Sequence, residues 1–165
     1  MTGCASVTPG IPTAAKQPPE TEPTTTTTTV KYSLARLCEL ISGKEAARLG
    51  GSTEGEEKNS TSDGHLMCGW AGATYLLIGF QERTSTANAD TGPGITNTPT
   101  TIDGLPAVKS LQTDTIEICE VIVDLPSGRM FTSSMSVLTS GEGKYDTCTV
   151  AMELSNLVIP RVRDQ

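Results

Sequence analysis

Histidine, aromatic side chains and clustered positive charge are all scarce in this 165-residue chain. Aromatics make up 4% of it: Tyr32, Trp70, Tyr75, Phe80, Phe131 and Tyr145. That is little surface for stacking bases or sugars. The net charge is -7, with no basic run, so a phosphate backbone is repelled and nucleic acid is not an expected partner. The longest strongly apolar stretch, Ala73 to Phe80, is eight residues, whereas a membrane-spanning helix needs about 20. No Cys-x-x-Cys pair occurs, which argues against a zinc knuckle or a thioredoxin-type site. No Gly-x-Ser-x-Gly elbow occurs either.

The few polar clusters read as surface. His65 is the single histidine, in Ser62-Asp63-Gly64-His65, and is expected to be an exposed loop residue. A catalytic triad would need it beside a serine and a carboxylate. Glu54, Glu56, Glu57 and Asp63 form an acidic loop without calcium-loop spacing. The loop around Gly92-Pro93-Gly94 lacks the lysine of a phosphate-binding loop. The expectation is a protein that is not an enzyme, with no metal and no cofactor.

Five cysteines are present. Cys38, Cys68, Cys119 and Cys148 are an even, widely spaced set and read as two disulfides formed in an oxidising compartment. Four cysteines pair in three ways. Cys4 stands apart. It follows Thr2-Gly3, as the acylated cysteine follows the small residues of a bacterial lipobox. Met1 stands where that box has leucine. A leucine codon read as a start, or a trimmed signal peptide, reconciles the two. Acyl chains on Cys4 would anchor the chain outside the cytoplasm, on the cell membrane. Residues 5–30 are proline, threonine and small residues without apolar periodicity, and read as a disordered tether. Residues 1–30 are thus lipobox remnant and tether, and 31–165 one domain.

From Lys31 the pattern changes. Leu34, Leu37, Cys38 and Ile41 recur at helical spacing, and Ser42-x-x-Glu45 is a capping box for a second short helix. HLMCGW, TYLLIGFQ, LPAVKSLQ, TIEICEVIVDL and RMFTSSMSVL read as strands, with residues 52–65 and 83–101 as loops. Asp146 or Thr147 caps a final helix with a stripe of Cys148, Ala151, Met152, Ser155 and Ile159, and Pro160 is expected to stop it. The expected fold is α+β: an antiparallel meander of about five strands, with the N-terminal and C-terminal helices packed on one face. The simplest arrangement staples each helix to a strand, Cys38 to Cys68 and Cys119 to Cys148. Trp70, two residues after Cys68, is expected to pack against a disulfide in the core.

The ordered set LCELI, CGW, DGLPAV, ICEVIV and DTC resembles an actinobacterial lipoprotein family catalogued as domain-of-unknown-function family 3558. The likeness covers residues 31–163. It implies an exported, membrane-anchored α+β domain and carries over no catalytic residue. The expected function is a lipid-anchored cell-envelope domain that binds an envelope protein or a small ligand. One alternative is a carrier of apolar envelope molecules in a cavity between sheet and helix, lined by Leu76, Ile78, Met130 and Met135. The other is a hydrolase built around His65 or a carboxylate pair.

Overall fold

The structure is a computed structural model that describes residues 34–59, 66–81, 86 and 89–163. Cys4, the tether and His65 lie outside the described residues. Two short helices, α1 (Leu34–Cys38) and α2 (Gly43–Arg48), lead into β1 (Glu56–Asn59), β2 (Leu66–Ala71) and β3 (Thr74–Gln81). Then come β4 (Ile95–Ile102), β5 (Leu105–Gln112), β6 (Ile118–Asp124) and β7 (Met130–Val137), and finally α3 (Thr147–Val162). The seven strands form one antiparallel sheet in the order β1-β2-β3-β7-β6-β5-β4.

Two strands more than expected are present, and both are edges. β1 is Glu-Glu-Lys-Asn, with no apolar alternation to mark it. β4 is Thr/Asn/Pro-rich and exposed along most of its length. Nor is the sheet a single meander. β1-β2-β3 and β4-β5-β6-β7 are two meanders, joined where β3 pairs with β7. The connection from β3 to β4 must therefore cross the width of three strands. Thr86, part of that connection, donates from its backbone N and its Oγ1 to the Asp124 carboxylate, each at 2.9 Å.

Registers sort the side chains into two faces. Cys68, Trp70, Leu76, Ile78, Phe131, Met135, Cys119, Val121 and Val123 share one face and are buried. α1 covers this face over β2 and β1, and α3 covers it over β7 and β6. Phe80 and Phe131 meet edge to face across β3 and β7, with centroids 5.7 Å apart. From α3, Val150, Ala151, Leu154, Val158, Ile159 and Val162 are buried against the sheet. The buried stripe is rotated from the expected one, so Cys148 and Met152 sit at its margin, half-buried. Pro160 does not stop the helix, which runs to Val162. Pro160 is exposed and close to the end, where its missing N–H removes only one bond of the helical ladder.

Inside the α3–sheet interface, Ser133 and Ser155 are fully buried. Their hydroxyls lie 2.6 Å apart, and Ser133 Oγ donates to the Ala151 carbonyl at 3.2 Å. Each hydroxyl thereby has a partner, as burial demands. The two expected bridges are present: Cys38–Cys68 and Cys119–Cys148. Trp70 is core, only 1% exposed. A Cβ at Gly55 would lie 2.7 Å from the Trp70 indole and 2.8 Å from Cys68 Sγ, so only glycine lets the chain lie flat against both.

Both sheet edges are blunted. β1 is short and charged, with Lys58 paired to Glu56. On β4 the protection is Pro99. The Asp103-Gly104 turn has φ of 49° and 78°, the two-residue type I′ geometry that closes Ile102 and Leu105 as a hydrogen-bonded pair. Alternation then points Thr101, Pro99, Asn97 and Ile95 outward. The middle of the free edge therefore has no N–H to offer another strand.

Separations of 30 and 29 residues make each bridge worth about 3 to 4 kcal/mol in the chain-entropy model. Replacing Cys119 and Cys148 together by alanine is expected to lower the unfolding free energy by about that amount, read by urea denaturation. A loss under about 1 kcal/mol would show that the bridge does not restrain the unfolded chain.

A second expectation concerns acid. Glu45 accepts from Arg161, and from the Ser42 backbone N–H at 2.7 Å, which holds its carboxyl down to about 2 from 4.5. The folded-state value is depressed, so its stabilisation is complete above about pH 4.5 and is lost as pH falls towards 2. Glu45→Gln should flatten the stability–pH curve in that window and leave its slope near neutrality unchanged.

Candidate functional site

α3 does not lie evenly along the sheet. Towards its C-terminal end it covers β4 and β5 as well as β6: Ile102, Leu105 and Ala107 are buried there, and Arg163 bonds Asp103 in the β4–β5 turn. Towards its N-terminal end it parts from β4 and β5. A groove of about 670 Å³ opens between them, within the range of small-molecule sites. It is lined by Thr96 and Thr98 of β4, Lys109 and Leu111 of β5, and Cys148, Thr149, Met152 and Asn156 of α3, with Asp146 and Glu153 at its rim.

The helix end beside the groove is well fixed. Asp146 is the N-cap, accepting from Thr149 N at 2.7 Å. Hydrogen bonding by the Thr149 side chain, then this backbone bond and the charge of Lys109, hold its carboxyl below the usual carboxylate range. Thr147 donates to Glu117, and Cys148 is tied to Cys119 on β6. Glu153 is paired with Arg48 of α2. Both groove carboxylates are thus engaged.

Lys109 is different. It lies on the helix-facing side of β5 between Ala107 and Leu111, opposite Thr98 on one side and Val121 on the other. It is half-buried, and its side chain has no hydrogen bond or ion pair among the described residues. Beside it, Leu111 pairs with Cys119, so Leu111, the Cys119–Cys148 bridge and Met152 make an apolar floor. The groove therefore has an apolar portion, a single cation and threonine and asparagine side chains. Among the described residues, no group of three or more His, Cys, Asp or Glu could hold a metal ion.

The residues expected to line an apolar cavity do not enclose one. Leu76, Ile78 and Met135 are fully buried in the close-packed core. Met130 pairs with Asp124 and Gln81, which places it on the opposite face. Of the acidic loop, Glu56 belongs to β1 and pairs with Lys58. Of the groove residues, the sequence marks Asp146 as a cap, Cys148 and Met152 as part of a helical stripe and Lys109 and Leu111 as strand, whereas Thr96 and Thr98 fall in the stretch 83–101 that reads as loop. One signal was available: in Leu105-Pro106-Ala107-Val108-Lys109-Ser110-Leu111, strand alternation puts a lysine at an inward position.

The N-cap should be measurable. Asp146→Ala is expected to destabilise the fold by about 1 kcal/mol at pH 7, and the difference should vanish as pH falls below about 3.8, where the carboxyl protonates in the unfolded chain and then in the folded one. Thermal melts of both proteins across pH 2 to 7 check this; equal destabilisation throughout would remove the charge from the account.

A family model described as "Protein of unknown function (DUF3558)" matches residues 1–161. Comparison with curated proteins and with solved structures finds no match.

Proposed function

Because the chain belongs to the DUF3558 family, whose description assigns no activity, we propose its role from its own residues: an extracytoplasmic domain, lipid-anchored through Cys4, that binds a ligand in the α3–β4–β5 groove and performs no reaction on it. One observation carries the reading. Cys148, one end of the Cys119–Cys148 bridge, lines the groove. Such a bridge forms and persists in oxidising compartments, outside the cytoplasm of most cells. It also fixes the N-terminal end of α3 beside β6, which holds the groove open. The site and its compartment are thereby linked through one covalent bond.

Further features agree with binding rather than turnover. The hydroxyls in the groove are threonines, and both groove carboxylates have structural partners: Asp146 caps α3 at Thr149 and Glu153 pairs with Arg48. Cys4 after Thr2-Gly3 supplies the anchor, and the Pro/Thr-rich stretch that follows supplies reach. If flexible, a tether of about 26 residues spans roughly 30 Å; if polyproline-like, roughly 80 Å. Either length sets the groove clear of the lipid headgroups. Carriage of apolar molecules remains a second reading. Its place is the floor made by Leu111 and Met152, not the buried core.

The test is the intact mass of the protein expressed from its native locus, taken from the membrane and soluble fractions. The expected species starts at Cys4, carries acyl groups, and is four hydrogens lighter than its reduced form. A soluble, unacylated species that retains Met1 and free thiols would overturn both the anchor and the compartment.

A further inference from the structure

We infer that the groove recognises an amphiphile with a single negative charge, a carboxylate at the end of an apolar chain, and that Lys109 is the residue that reads the charge. This rests on the groove being the binding site. The argument starts from the position of Lys109. On the face of the sheet that packs under the helices, its flanking positions are Ala107 and Leu111, and its cross-strand neighbour on β6 is the fully buried Val121. A half-buried ammonium at such a position loses hydration, and among the described residues none gives the Lys109 side chain a hydrogen bond or ion pair to replace it. Asp146 acts on it only through its field and is already bound to Thr149 N. The other groove carboxylate, Glu153, is held by Arg48. An anion entering beside Lys109 therefore finds a cation with its donors unused, next to the Thr98 hydroxyl directly across the β4–β5 ladder.

The rest of the groove limits what that anion can be. Asp146 and Glu153 sit at the rim, so a doubly charged phosphate would meet two carboxylates for one lysine. A cationic ligand would meet Lys109. Among the described residues, no aromatic ring lines the groove to stack a sugar or a base. Beside the threonines and Asn156, the lining is apolar: Leu111, Met152 and the half-buried Cys148. Leu111 lies two residues along β5 from Lys109 on the same face, so charge and apolar floor are adjacent. A chain on the floor with its carboxylate at Lys109 satisfies both parts at once.

The experiment uses the full chain with both disulfides intact and titrates it with decanoate, and separately with decanol, following backbone amide shifts by NMR. Decanoate is expected to shift Thr96, Thr98, Lys109, Leu111 and Thr149, and to bind at least about tenfold more tightly than decanol, the scale of one charge-assisted hydrogen bond. Lys109→Met should lose that advantage, whereas Lys109→Arg should keep it. Because the Lys109 side chain holds no other group in place, both variants are expected to melt like the parent. If decanol binds the groove as tightly as decanoate, or Lys109→Met is indifferent, the charge assignment is overturned while the groove stands as a site. If neither probe shifts a groove residue, both fall.

Discussion

The contact between α3 and the buried face of the sheet is the constraint on which the rest of this domain depends. The helix supplies Val150, Leu154, Val158 and Val162 to a surface built from the four strands β4 to β7. It is pinned at one end by Cys119–Cys148 and at the other by Arg163 on the β4–β5 turn. Between the two pins, the buried Ser133–Ser155 pair sets the rotation of the helix. An apolar interface alone tolerates small rotations, but a buried hydroxyl displaced from its partner is left unsatisfied. The same rotation that buries Ser155 leaves Met152 and Asn156 on the side facing β4, so the groove follows from how the helix is keyed. The polar inward positions of β4 and β5, Thr96, Thr98 and Lys109, lie where the helix has already departed.

The strands that can be read directly are those whose burial alternates or is complete. β3 is apolar on both faces because it lies near the centre of the sheet, and its residues Thr74–Gln81 coincide with the run TYLLIGFQ. β5, β6 and β7 are delimited by turn residues, Asp103-Gly104 and Pro126-Ser127-Gly128 among them. β1 and β4 could not be read the same way. An edge strand needs little apolar surface and is selected against uniform pairing, so charges and proline mask it. β4 is a strand because the tight turn at Asp103-Gly104 folds it back on β5, an effect of geometry rather than of its own propensity. The joining of the two meanders through β3 and β7 left no local trace, since it pairs residues from Gln81 with Met130 to Thr74 with Val137, far apart in the chain. Pro160 misled for a related reason: the stop signal is a local rule, and packing of Ile159 and Val162 outweighs it near a helix end.

The candidate site was legible only in part. Cysteine arithmetic found the bridge that borders it, and the cap at Asp146 marked the helix end beside it. The groove itself is a gap between elements, and gaps have no sequence. Its one residue out of pattern, Lys109, is recognisable as such only once β5 is known to turn Ala107 and Leu111 inward.

The disulfide connectivity carries a consequence for how the chain is made. Cys38 joins Cys68 and Cys119 joins Cys148, so each thiol bonds to the next of these four in the sequence, and each bridge closes within its own half of the fold. A chain oxidised from its N-terminus onward meets the correct partner first each time and needs no reshuffling. The two halves then have only to dock β3 against β7, and the long-range search is reduced to registering two pre-closed pieces. For a polypeptide that emerges in order, N-terminus leading, the order of cysteines works as an assembly schedule written into the primary structure.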